Sequence, residues 1–169
     1  MLSCRGRFET CLYVCPSTGA ARQRRTRDSG FSEFGTQEGR GPEREVKQLA
    51  EHTGVRIIGP NCMGIHSPKA CFCPTPDFPK ESGRVALLSR SGGNTLYLVR
   101  AAGARNIRFS KVISYGNAAD IDETDLLSYF QQDKETDMIA AYIEGVKDGR
   151  RWQCTTRPTW RAGTWLTSR

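Results

Sequence analysis

The chain has 169 residues, 37% hydrophobic and 25% charged, with a formal net charge of +7. That length can bury the core of one ordinary domain. The excess charge sits at the ends: residues 1–30 carry six Arg against Glu9 and Asp28, residues 151–169 carry four Arg and no acid, and between them 15 basic residues meet 16 acidic ones. A nucleic-acid binder places its basic stripe on its folded part, so this distribution argues against that class.

Cys4, Cys11, Cys15, Cys62, Cys71, Cys73 and Cys154 form an odd number with no Cys-x-x-Cys spacing, and Cys71 and Cys73 flank a single Phe, so no metal site is expected. No apolar run approaches the length of a membrane span and no signal-peptide pattern opens the chain. The expectation is a cytoplasmic protein with reduced thiols and no membrane partner.

In chain order, residues 1–28 show one short strand-like run, Cys11 to Cys15, followed by an Arg-rich tract without apolar period, and are expected to be irregular or disordered. SGFSEFG, from Ser29, reads as a glycine-bounded loop. Pro42 then opens EREVKQLAEHTG as a helix with Val46, Leu49 and Ala50 inward and Gly54 as its stop. VRII reads as a buried strand and GPNCMG as the loop leaving its carboxyl end. Pro68, Pro74, Pro76 and Pro79 suggest a linker over residues 68–82.

From about Gly83 the text alternates: RVALLS, IRFSKVIS and DMIAAYIEG as strands, NTLYLVRAAGA and ETDLLSYFQQ as helices between them. Such alternation predicts an α/β fold, a flavodoxin-like doubly wound parallel sheet with helices on both faces. Ligands in such sheets lie outside the carboxyl ends of the strands, where the loops SRSGGN, SYGNAADID and EGVKDG converge. Residues 152–169 follow no period and are expected to form an irregular tail.

The turn SRSGG ends a strand and opens a helix, so it offers backbone N–H groups and a positive helix end to one small volume, which suits a phosphate. Ser89 and Ser91 add hydroxyls, and Gly92 and Gly93 let the main chain approach closely. The spacing matches neither the P-loop nor the dinucleotide fingerprint, and a plain helix cap at the serine is the structural alternative.

The segments SGFSEFG, VRIIGPNCMGI, GRVALLSRSG, FSKVISYGNAADIDETDLLSYF and YIEGVKDGRR, in this order, resemble the NDP-forming acyl-CoA ligases, the family of succinyl-CoA synthetase alpha and ADP-forming acetate–CoA ligase. The resemblance implies that residues 29–67 are the last part of a Rossmann-like CoA-binding domain and residues 83–151 an incomplete flavodoxin-like domain. It implies a reaction in which acyl-CoA, ADP and phosphate give acid, CoA and ATP through acyl phosphate and phosphohistidine. Coenzyme A is the implied cofactor, and ATP/ADP with Mg would enter only through an ATP-grasp unit or beta subunit.

By the same resemblance, Ser89, Ser91, Gly92 and Gly93 hold phosphate or acyl phosphate, Glu144 orients the catalytic imidazole, and Pro60, Asn61 and Cys62 lie beside the CoA thiol. Asn117 is added to the phosphate site because its loop leaves a strand next to that of SRSGG. Arg90 and Gly93 depart from the family's Ser-Gln-Ser-Gly-Ala.

Two histidines are present, and both read as surface residues: His52 near the end of a polar helix, His66 in a loop. The chain is therefore expected to be a fragment that keeps the phosphate loop without the phosphorylated histidine, or else a non-catalytic module that binds CoA or acyl-CoA or docks a partner. Asp120, Asp122, Glu123 and Asp125 could hold magnesium through water, but acids at a helix start are accounted for by capping and dipole alone.

Overall fold

The computed structural model describes residues 37–156 together with three short strands at 12–14, 22–24 and 165–167. Strands β1 (Leu12–Val14) and β2 (Arg22–Arg24) form a small antiparallel ribbon, the first of them inside the strand-like run read from the sequence. The SGFSEFG loop lies outside the described residues. Helix α1 (Gln37–Thr53) begins five residues before Pro42 and ends where Gly54 takes φ +68°, with Ala50 buried on its inner face.

The main sheet has the order β3-β5-β4-β6-β7, from β3 (Gly64–His66), β4 (Val85–Ser89), β5 (Phe109–Ser114), β6 (Met138–Ile143) and β7 (Trp165–Thr167). Strands β5, β4, β6 and β7 run parallel, whereas β3 pairs antiparallel with β5 and closes that edge. Central β4 reads as an unbroken apolar run because it is covered on both faces. Helix α2 (Gly92–Ala104) lies on one face, where Val99 packs with Leu87, Val112, Phe109 and Phe78. On the other, Leu126, Leu127 and Phe130 of α3 (Glu123–Gln132) pack on Ala86, Leu88, Ile113, Ile139 and Ala141. This is the doubly wound flavodoxin-like arrangement that the alternation predicts, with one antiparallel strand added.

A register shift next to Val85 sets Val85 opposite Phe109 and Ala86 opposite Lys111. The extra residue resets the two-residue alternation, which is why Phe109 and Val112 face α2 together despite their odd spacing.

Three expectations are corrected. VRII is no strand: its partner is a loop rather than a ladder, since Asn117, Ala119 and Ile121 donate their N–H groups to Pro60, Gly59 and Ile57 carbonyls at 3.0, 2.9 and 3.1 Å. The proline-rich stretch lies against the domain, with Phe78 buried under α2 and Pro79 within 3.0 Å of the position a Cβ on Gly103 would take. Past Arg151 the chain continues as α4 (Gly149–Thr156), with Trp152 against the α3-side core, and β7 then pairs with β6. No helix among the described residues is long and apolar enough to cross a membrane.

Candidate functional site

The order β5-β4-β6 puts the reversal of winding between β4 and β6, since the chain leaves β4 towards β5 and then crosses back to β6. Crevices at such switch points are where doubly wound sheets take ligands. The loops bounding this one are the SRSGG turn after β4 and residues 144–148 after β6. Arg90 joins them: its N–H donates to Tyr142 O at 3.0 Å and its guanidinium to Gly145 O at 3.3 Å.

Within the turn the four candidates have different jobs. Ser89 is fully buried and its hydroxyl donates to Ser91 O at 2.8 Å, so it shapes the turn rather than facing a ligand. Ser91 is the N-cap of α2, its Oγ accepting from Asn94 N at 3.2 Å while its own proton stays available to donate. A Cβ on Gly92 would stand 3.2 Å from Met63 N, so this glycine packs tightly under the GPNCMG loop. A Cβ on Gly93 would meet nothing within 4 Å: the first turn of α2 is open to solvent there. The N–H groups of Gly92 and Gly93 come before the first intrahelical bond, at the positive end of the helix.

Glu144 follows β6 directly and is exposed. Tyr115, at the carboxyl end of β5, is fully buried, and its hydroxyl has no hydrogen-bond partner among the described residues. Burial first, and then the nearby Glu123 carboxylate, push its ionisation well above the usual tyrosine range; Arg90 opposes this and Glu144 adds to it.

Of the CoA-side residues, Asn61 is exposed at φ +53°, Pro60 is buried, and Cys62 lies in the core with Sγ 3.8 Å from Ile58 O. The thiol expected beside the CoA end is thus turned inward, and Asn61 is the one of the three that offers polar atoms outward. Asn117 belongs to this side: its Oδ1 accepts from Asn61 Nδ2 at 3.4 Å and its Nδ2 donates to Glu43 at 3.1 Å. The two loops still meet, because Met63 N donates to Ser114 Oγ at 3.2 Å and Gly92 packs on Met63.

The acidic cluster is occupied by caps and arginines. Asp122 and Asp125 form a capping box on α3. Arg56 bonds Asp120 at 3.1 Å, and Arg151 bonds both Asp122 and Asp125. These carboxylates hold the guanidinium groups of Arg56 and Arg151 firmly charged, with the Asp120 and Asp125 hydrogen bonds as the main causes. His52 is exposed near the end of α1, as read. His66 is corrected: it is buried on β3 with its ring edge-on to Phe78 at 5.2 Å. Sequence reading passed over Tyr115, which it placed in the loop SYGNAADID, and weighed Glu123 only as a magnesium ligand through water or as an acid at a helix start.

Fold and crevice together define a flavodoxin-like α/β domain with the amino terminus of a helix at its switch point. Residues 82–162 match the family described as "Succinyl-CoA ligase like flavodoxin domain", and the chain belongs to that family over those residues. An ADP-forming acetate–CoA ligase of Archaeoglobus fulgidus is 42% identical over 125 residues, 73% of this chain and 18% of that protein. The alpha subunit of an ADP-forming acetate–CoA ligase of Pyrococcus furiosus is 44% identical over 124 residues, 73% of this chain and 27% of that subunit. Among solved structures, an acetyl-coenzyme A synthetase of Ca. Korarchaeum cryptofilum, in complex with phosphate and ADP, superposes with a TM-score of 0.68 at 35% identity, covering 76% of this chain and 28% of that one. The chain therefore spans about a fifth to a quarter of the length of these relatives.

Proposed function

We propose that this chain carries the phosphate-holding part of an NDP-forming acid–CoA ligase, acting with segments that supply the imidazole and the nucleotide. The observation that carries the reading is the open first turn of α2, where Gly92 and Gly93 present N–H groups at the switch crevice, with Glu144 on the opposite loop. Phosphoryl transfer needs positioning and charge neutralisation above all. The Gly92 and Gly93 N–H groups and the Ser91 hydroxyl hold the phosphate oxygens, and Glu144 fixes the tautomer of an incoming imidazole and favours its cationic form. CoA would supply the thiol that exchanges with the acyl phosphate, on the side of Asn61. ATP or ADP with magnesium would belong to an ATP-grasp subunit or domain. The relatives named as ADP-forming ligases, one of them an alpha subunit, support this division of labour.

A second reading, a non-catalytic module for CoA, acyl-CoA or a protein partner, is favoured by the histidines, since His66 is buried and His52 stands exposed on α1. Calorimetric titrations of the chain with inorganic phosphate and, separately, with CoA distinguish the two. Saturable phosphate binding supports the ligase reading. Binding of CoA alone favours a CoA-binding module, and binding of neither overturns the ligase reading and the CoA-binding module alike, leaving partner docking.

A further inference from the structure

Glu123 is fully buried on the first turn of α3, yet the cap of that helix is made by Asp122 and Asp125. A carboxylate is withdrawn from water only at a cost that specific hydrogen bonds must offset. The bond Glu123 makes is not to its own helix: its Oε1 accepts from Lys147 N at 2.9 Å, in the loop after β6, while its Oε2 has no partner among the described residues. The Lys147 ammonium donates to Ala118 O, fastening the same loop again. From the other side Arg90, in the phosphate turn, holds Gly145 O at 3.3 Å. Glu144 precedes both fastenings on a loop whose neighbouring residues are otherwise exposed.

We propose that Glu123 is a positioning residue: with Arg90 opposite, it fixes the loop that carries Glu144 and so sets where that carboxylate stands relative to the amino terminus of α2. The inference rests on the phosphate-site reading above for its consequence, but the clamp itself does not. Glu123→Gln keeps an oxygen acceptor for Lys147 N, whereas Glu123→Leu removes it at similar volume.

The test has two readouts. Exchange of the Lys147 amide stays slow in the parent and in Glu123→Gln and rises about tenfold or more in Glu123→Leu, with β4 and β5 unchanged. In the pH profile of inorganic phosphate binding, a well-placed Glu144 carboxylate disfavours the dianion, so Glu144→Gln moves the profile to higher pH. Glu123→Leu reproduces that displacement and Glu123→Gln does not. Uniform weakening at every pH, or unchanged exchange in Glu123→Leu, overturns the proposal. Should Glu123→Leu fail to fold, Arg90→Gln releases the other fastening and must raise exchange of the Lys147 amide while leaving β4 and β5 unchanged; no rise there overturns the clamp. If the parent binds no phosphate, the anion-site reading falls and with it the role assigned to Glu144, while exchange still decides whether Glu123 holds the loop.

Discussion

Two glycines of the site differ sharply in what a side chain would meet. Gly116 has φ +53°, and a Cβ there would stand 2.1 Å from Pro60 O and 2.4 Å from Asn61 O, so no side chain fits between the two loops. Gly116→Ala is expected to destabilise the fold by about 2–4 kcal/mol, read from the urea midpoint. Gly93 has open space in its place, and Gly93→Ala should leave stability within about 1 kcal/mol. His66 gives a pH dependence. Burial lowers its pKa below the ordinary 6.5, against the opposing backbone hydrogen bonds to Pro79 and Phe72. The unfolded chain then takes up a proton that the folded chain refuses, so stability is full above that value and declines as pH falls through it. Carboxylates such as Asp133, lowered below 3.8 by Lys111 and Thr136 against the burial that raises it, act only at more acidic pH. His66→Gln should flatten the decline between about pH 7 and about pH 5, measured as the denaturant midpoint at each pH; an unchanged slope would contradict the assignment.

At the scale of elements, α3 shows how capping competes with metal binding for the same acids. Asp122 Oδ1 accepts from Thr124 N and Asp125 N at 2.9 and 3.0 Å, while its Oδ2 takes Arg151 at 3.3 Å. Asp122→Ala should therefore cost about 1–2 kcal/mol, visible as a lowered Tm, and loosen α4 through the loss of one of Arg151's two carboxylate partners. The alternation of apolar runs and turn residues made β4, α2, β5, α3 and β6 legible, because each buries its own stripe against its neighbour. VRII was not legible as a loop: Ile57 and Ile58 are as buried as strand residues, and what they lack is a ladder partner, which a linear text does not display. The extension of α4 past Arg151 was hidden because most of its residues are exposed and polar, so its seat depends on Trp152 and on ion pairs from α3.

At the scale of the molecule, the proposed site lies at the carboxyl ends of the strands, and its residues have different surroundings there. Ser91, Gly93 and Glu144 stand on the loops that bound the crevice, Ser89 and Gly92 shape the turn beneath it, and Asn117 and Cys62 support the loop that carries Asn61. The residues missed, Tyr115 and Glu123, are buried polar groups whose surroundings come from elements far apart in sequence; in isolation a strand-end tyrosine and a helix-start glutamate carry no signal. The central claim is that the amino terminus of α2 is an anion site. Calorimetric titration with inorganic phosphate, on the parent chain and on Gly93→Asp with His52→Ala as control, tests it most directly. The account predicts saturable binding by the parent and by His52→Ala, and its loss in a folded Gly93→Asp, where a carboxylate occupies the open volume beside the helix N–H groups. Equal binding by all three, or none by the parent, would contradict it.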